Sequence, residues 1–243
     1  MSAAPAALSG QVAIVTGAGR GIGHAVAMAL AHEGAAVVLA ARTRQELAAA
    51  AAAIRESGGT ALAIPTDVTQ DGAVEAMVEQ AYGELGRIDT LVTAAGTASF
   101  GPVIGTKPTD WDAMLTVNLR AVMVCCRAVL PAMVRQRRGT IINIASVAAQ
   151  RSIAGAAAYT ATKAGVIGFS RVLAEELRGD GVRVGVLVPG AVDTPLWDAI
   201  PQGPDRTRML RPQDVARAAV LMASLPPGAS LEELTLLPSG GIL

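Results

Sequence analysis

Aromatic side chains are scarce in this chain, with two Phe, two Trp and two Tyr among 243 residues. Hydrophobic residues nevertheless make up 51%, so the core has to be built from Ala, Val, Leu and Ile rather than rings. The formal net charge is +0, which leaves no strong field to attract nucleic acid or a membrane surface. Cysteine is confined to the adjacent Cys125 and Cys126. That spacing suits neither a structural disulfide nor a metal site, and a reduced pair fits a cytoplasmic protein. No apolar run approaches about 20 residues without charge, Gly or Pro, so no membrane-spanning helix is expected. Residues 1–10 lack basic side chains and a long apolar run, and do not read as a signal peptide. Neither a linker nor a solenoid-type repeat is visible.

What is present alternates in period. Short Val/Ile/Leu-rich runs at 12–15, 36–40, 61–64, 88–92, 140–144, 182–188 and 233–237 read as buried strands. Between them lie helical stretches at 22–33, 45–57, 73–85, 110–137, 156–178 and 212–225, with Pro131 expected to kink the fourth. This βαβα order argues one doubly wound, Rossmann-like α/β domain spanning 1–243, with a mostly parallel sheet of about seven strands. Residues 193–211 form the one long irregular stretch. They read as a substrate loop or, equally, as a solvated connection.

Thr16-Gly17-Ala18-Gly19-Arg20-Gly21-Ile22-Gly23 falls between the first expected strand and helix. A helix N-terminus offers unpaired N–H groups and the positive end of a dipole, which suit a pyrophosphate. Gly17 and Gly23 would permit tight turning and close packing, and Gly21 a close backbone approach to phosphate. The G-x-x-x-G-x-G spacing departs from the commoner dinucleotide fingerprint, and a plain Gly-rich turn is the alternative. After the second strand, a carboxylate would favour NAD and an Arg a 2′-phosphate. The chain reads Leu39-Ala40-Ala41-Arg42. Arg42, helped by Arg20, therefore favours NADP(H) over NAD(H); as a mere surface residue, Arg42 would leave the preference mixed.

Tyr159 and Lys163 lie four residues apart in an Ala/Gly-rich helical stretch and share one face. A free Tyr titrates near ~10. An ammonium one turn away is expected to stabilise the phenolate and lower that value, which suits proton exchange with a carbonyl or alcohol oxygen. Ser146 lies upstream, at the end of the fifth strand.

Taken together and in this order, the loop at 16–23, Asn118, Ser146, Tyr159 with Lys163, and Pro189-Gly190 followed by Thr194 resemble the short-chain dehydrogenase/reductase family from Gly10 to Gly241. The resemblance implies that Tyr159 is general acid in reduction and base in oxidation. It implies that Ser146 orients the substrate oxygen, that Lys163 binds the nicotinamide ribose, and that Asn118 holds a water linking Lys163 to solvent. Asp67 and Val68 would meet the adenine. Gly17, Gly19, Arg20, Gly21, Ile22, Ala95 and Gly96 would line the rest of the cofactor, with Pro189, Gly190, Val192 and Thr194 at the nicotinamide. Simpler readings stand beside these: Ser146 as a turn residue, Asn118 as a helix-interior amide bonded locally, and Asp67 as a helix cap.

Two departures from the family pattern are clear. Ala94-Ala95-Gly96 stands where relatives carry Asn-Ala-Gly, which removes an amide that Thr93 would replace in part. Pro238-Ser239-Gly240-Gly241 stands where many have Asp-Gly-Gly. Substrate-pocket candidates are Ser146, Val147, Ala148, Gln150, Ala156, Tyr159, Val192, Leu196, Trp197 and Ile200, with Arg151 expected to face solvent. The implied substrate is a small ketone or alcohol, with 3-oxoacyl and 3-hydroxy acid compounds equally in view. A catalytically silent NADP-binding sensor is the alternative, and it predicts a broken Ser/Tyr/Lys set. By the same resemblance, the helices at 110–137 and 156–178 would pair in a homotetramer or homodimer through Ala157, Ala161, Ala164 and Gly168.

Overall fold

The computed structural model describes residues 6–200 and 205–241. Both ends of the expected domain, and the centre of the 193–211 segment, lie outside the described residues. Seven strands pair in the order β3-β2-β1-β4-β5-β6-β7. They are β1 Val12–Thr16, β2 Ala36–Ala41, β3 Ala61–Pro65, β4 Thr90–Thr93, β5 Gly139–Ile144, β6 Val182–Pro189 and β7 Glu233–Leu236. Every pair is parallel, so the expected mostly parallel sheet is wholly parallel. The order reverses beside β1, and the crevice between the ends of β1 and β4 is where such folds place ligands.

Successive strand residues separate into two cores, as period two requires. Val12 and Ile14 face a cluster with Met77, Cys126 and Val166, whereas Ala13 and Val15 face one with Val26, Leu47 and Val215. The first cluster is covered by α3 Asp71–Leu85, α5 Ala121–Gln136 and α6 Ala157–Leu177. The second is covered by α1 Gly21–His32, α2 Arg44–Glu56 and α7 Pro212–Ser224. Cys125 and Cys126 are both buried and unpaired, and burial alone pushes the Cys125 thiol up to about 12.

The fourth expected helix is richer than its sequence pattern. Helix α4 Pro108–Leu115 starts with Pro at its first position, where no N–H is needed. It passes through one π-turn, Thr116–Arg120, into α5. The departure from α geometry therefore falls at Asn118, while Pro131 sits within α5. By length and composition the stretch Pro108–Gln136 could cross a membrane, with a mean hydropathy of 1.6 over its most apolar part. Val122, Cys125, Cys126 and Val129 bury one face of it against the sheet, which makes it a core helix.

At the opposite end of the sheet, Asp89 is a buried carboxylate. It accepts from Val12 N at 2.9 Å and from Arg87 Nε and Nη2 at 2.7 Å each. These bonds fasten the starts of β1 and β4 together. Removing the acceptor leaves a buried N–H without a partner, so Asp89→Ala should lower unfolding free energy by about 1–3 kcal/mol in urea titration.

Candidate active site

The segment between β1 and α1 is shaped by glycines at two points. Gly17 has φ +66°, and a Cβ there would come within 2.8 Å of the Ala95 backbone. Gly23 packs directly on the carbonyl of Gly17. Gly21 is required for its φ of +59°, with Thr194 the nearest neighbour at 3.4 Å. At the start of α1, Arg20 makes no side-chain cap and the first turn holds no acidic residue. The leading amides of α1 are thus left without a side-chain acceptor, an arrangement that fits an anion. Thr16 Oγ1 accepts from Ala94 N at 3.2 Å and Ala95 N at 3.3 Å, which ties the loop to the end of β4.

Around this loop lie the other expected cofactor residues. Arg42 and Arg20 are exposed, Val68 is buried and Asp67 half-buried. Asp67 Oδ1 accepts from Thr69 N at 3.0 Å and Thr69 Oγ1 at 2.8 Å. Those bonds, with Arg42 contributing more weakly, hold its carboxyl below the usual range. It fixes the turn at Thr69, one residue before the Gln70 cap of α3. Beyond β6, a Cβ on Gly190 would press on Pro238 at 3.0 Å, so this glycine is explained by packing on the C-terminal segment. Val192 bridges to Leu210, and Asp193 N donates to Leu210 O at 2.8 Å. The irregular stretch is thus tied at both ends, and Arg206 adds pairs to Asp193 and Asp198.

Lys163, Asn118, Ser146 and Tyr159 gather near the end of β5. Lys163 is only 5% exposed, and its Nζ donates to Ile144 O at 2.9 Å. Burial lowers its pKa to about 8. Gly96 adjoins both Lys163 and Asn118, since a Cβ there would lie 3.9 Å from Nζ and 3.5 Å from Asn118 Oδ1. Asn118 is fully buried. Its Oδ1 accepts from Thr97 N at 2.9 Å, and its Nδ2 donates to Thr97 O at 2.8 Å and Thr162 Oγ1 at 3.3 Å. The amide is therefore committed to protein partners across 21 residues of chain. This sets aside the local-bonding alternative, since Thr97 and Thr162 belong to other segments. The π-turn, a device common at functional sites, carries Asn118 into this position, and a 3.6-residue pattern gives no sign of it.

Tyr159 also departs from expectation. Its phenol is pushed above the ordinary tyrosine value by desolvation, partly offset by the neighbouring Ser146 hydroxyl. The Lys163 ammonium lies 5.9 Å from the centre of the Tyr159 ring. The expected lowering by Lys163 is thus not what this chain displays: removal from water is the largest influence, and the opposing one comes from Ser146. Ser146 Oγ also accepts from Ala148 N at 3.2 Å and caps the short turn Val147–Ala149, so its turn-forming role and its place beside Tyr159 coexist.

Among the pocket candidates, Val147, Ala148, Ala156 and Val192 are buried, whereas Leu196, Trp197 and Ile200 are half-buried. Gln150 is exposed and its Nε2 donates to Glu233 on β7 at 2.5 Å. That bond assigns its amide to β7 instead of the expected pocket. Arg151 faces solvent, as expected. Phe100 was not among the candidates. It lies 5.8 Å from Tyr159 and 6.1 Å from Trp197 by ring centres. A lone Phe in a Gly- and Thr-rich segment gives no periodic signal, and only the tertiary fold brings it in. At the missing family amide, Thr93 Oγ1 donates to Asn143 Oδ1 at 2.7 Å and joins β4 to β5.

The arrangement combines an anion-ready loop with a buried cation, a phenol and a hydroxyl at one sheet edge. It can hold a dinucleotide beside a proton donor. A family model described as short chain dehydrogenase matches residues 11–205. The short-chain reductase protein NovJ of Streptomyces niveus is 46% identical over 82% of this chain and 76% of its own. A 3-oxoacyl-[acyl-carrier-protein] reductase of Synechocystis is 37% identical over 98% of both chains. A metagenomic short-chain oxidoreductase in complex with NADP shares 39% identity, with TM-score 0.85 over 96% of this chain and 99% of that one. A variant of actinorhodin polyketide ketoreductase with NADPH shares 30%, with TM-score 0.87 over 94% and 96%.

The value of Lys163 has a thermodynamic consequence. Between pH about 8 and the ordinary 10.5 the unfolded chain holds a proton on this lysine that the folded protein lacks. Stability from this group therefore rises with pH across that window and is reduced below it. Relative to Lys163→Met, the wild-type apoprotein should gain on the order of 3 kcal/mol from pH 8 to 10.5 in denaturant titrations, and no further pH-dependent change below pH 7.

Proposed function

Because this chain belongs to the short-chain dehydrogenase/reductase family, whose members are oxidoreductases acting on CH–OH groups, we propose that it interconverts a ketone and a secondary alcohol with NADP(H). The observation that carries this reading is the buried Lys163 one helical turn from Tyr159, with the Ser146 hydroxyl close enough to the phenol to influence its titration. The glycine loop, with its uncapped helix start, fits the pyrophosphate, and exposed Arg42 beside Asp67 suits a 2′-phosphate over a bare ribose. The complexes of two structural neighbours with NADP and NADPH support the same preference. When bound, NADPH supplies hydride to the carbonyl carbon. Tyr159 donates its proton to the carbonyl oxygen, and the raised pKa keeps the phenol protonated for that step. Ser146 holds the same oxygen in line. Lys163 orients the ribose and stabilises the phenolate left behind. Asn118 acts as a positioning residue by holding the Thr97 backbone beside Gly96. The family names of the relatives support a 3-oxoacyl, 3-hydroxy acid or related ketone as substrate.

The test is loss of reduced-nicotinamide absorbance with a panel of ketones and 3-oxoesters. Turnover should occur with NADPH in preference to NADH and fall by at least about 100-fold in Tyr159→Phe, with NADPH still bound. Tight binding of NADPH without turnover of any substrate would instead support the sensor reading.

We further infer a homotetramer or homodimer. Ala157, Ala161, Ala164 and Gly168 are all exposed, so they do not pack within one subunit. Met123 at 43% and Val172 at 59% exposure extend an apolar surface over α5 and α6. An apolar groove of about 320 Å³ runs between them past Val124, Leu130 and Phe169. Light scattering should give a mass of two or four times 24.6 kDa; a monomer at micromolar concentration would end the interface reading.

A further inference from the structure

One Phe, one Trp and one Tyr, half of the chain's aromatic residues, meet at a single place. Phe100 follows β4, Tyr159 lies on α6 and Trp197 lies in the short turn Pro195–Ala199 after β6. The Phe100 and Trp197 rings are parallel within 5° with centres 6.1 Å apart, and Phe100 is tilted 50° to Tyr159 at 5.8 Å. Two anchors fix the cluster. Trp197 Nε1 donates to Val192 O at 2.9 Å. Gly101 N donates to Gly155 O at 2.8 Å, and the left-handed φ of +81° at Gly155 is one that glycine adopts without strain. The core does not absorb these rings. All three are half-buried, and Phe100 lies against Tyr159 and Trp197.

Partly exposed, pre-oriented rings favour a flat π-system over a puckered or flexible alkyl group, because stacking adds to simple area burial. Of the polar residues that follow Ser146, Arg151 is exposed and Gln150 is bonded to Glu233 on β7. We propose that Phe100, Trp197 and Tyr159 form an aromatic clamp for a planar aryl group next to the reacting carbonyl, so that the substrate is an aryl-bearing ketone or its alcohol. The proposal rests on the oxidoreductase reading for its carbonyl, and on the ring geometry alone for its aryl group. Phe100 is then a specificity-determining residue.

A matched pair of 3-oxoesters tests it: ethyl benzoylacetate, and its cyclohexyl counterpart of equal size without a flat ring. In the wild type, the ratio of kcat/KM for phenyl over cyclohexyl should exceed that of Phe100→Leu by about 3- to 10-fold, and Trp197→Leu should shift it the same way. Comparing ratios cancels the intrinsic reactivity of the two carbonyls and any general loss of fold. An unchanged ratio in both variants overturns the clamp. A second readout needs no turnover. In a Trp111→Phe background, Trp197 emission is titrated with ethyl benzoate and with ethyl cyclohexanecarboxylate, neither of which carries a ketone. Binding of the benzoate at least about 3-fold tighter supports the clamp, and equal binding or none overturns it. Failure of the oxidoreductase reading appears separately, as absence of turnover with every ketone.

Discussion

Parallel pairing of seven strands is the constraint from which the rest follows. It sends every strand's C-terminal end to one edge, and each connection must leave from there. The glycine loop after β1, the Thr97 segment after β4, Ser146 after β5 and the Trp197 segment after β6 become neighbours for that reason. None of these groups is close to the others in sequence. A sheet of mixed direction would scatter them to both edges.

Polar groups then lock the edge. A buried ammonium would be costly without a partner, and Lys163 has one in the Ile144 carbonyl. Asn118 joins three separate stretches through Thr97 and Thr162. Below it, Thr93, Asn143 and Ser170 continue as a chain of buried hydrogen bonds across β4, β5 and α6. Each group is satisfied, so the low polarity of the surroundings strengthens the network and discourages alternative packings.

The sheet was legible because Val/Ile runs and Gly stops recur with a regular period, and strand limits agree to within a residue or two, as at Val12–Thr16 and Ala36–Ala41. Ser146, Tyr159 and Lys163 were legible as a spaced set, and the fold brings them together. What escaped had no local signature. The π-turn at Thr116–Arg120 depends on how Asn118 meets a distant backbone. The desolvation that raises Tyr159 depends on atoms from several elements. Gln150 stands among the pocket candidates in the sequence, yet its partner Glu233 lies 83 residues away. Phe100 was passed over because its neighbours Thr97, Ser99 and Gly101 suggest only a loop.

Phe100 and Trp197 sit on irregular segments that the sheet's ladders do not use, whereas Lys163 lies in α6 and Asn118 in the π-turn that leads into α5. The two layers can therefore change at different rates over evolutionary time. Replacing a ring on one of the outer segments alters little of the core, while moving the lysine or the amide disturbs hydrogen bonds in three places. A lineage carrying this scaffold is free to explore new ligands by drift at its rim, with the machinery beneath inherited intact.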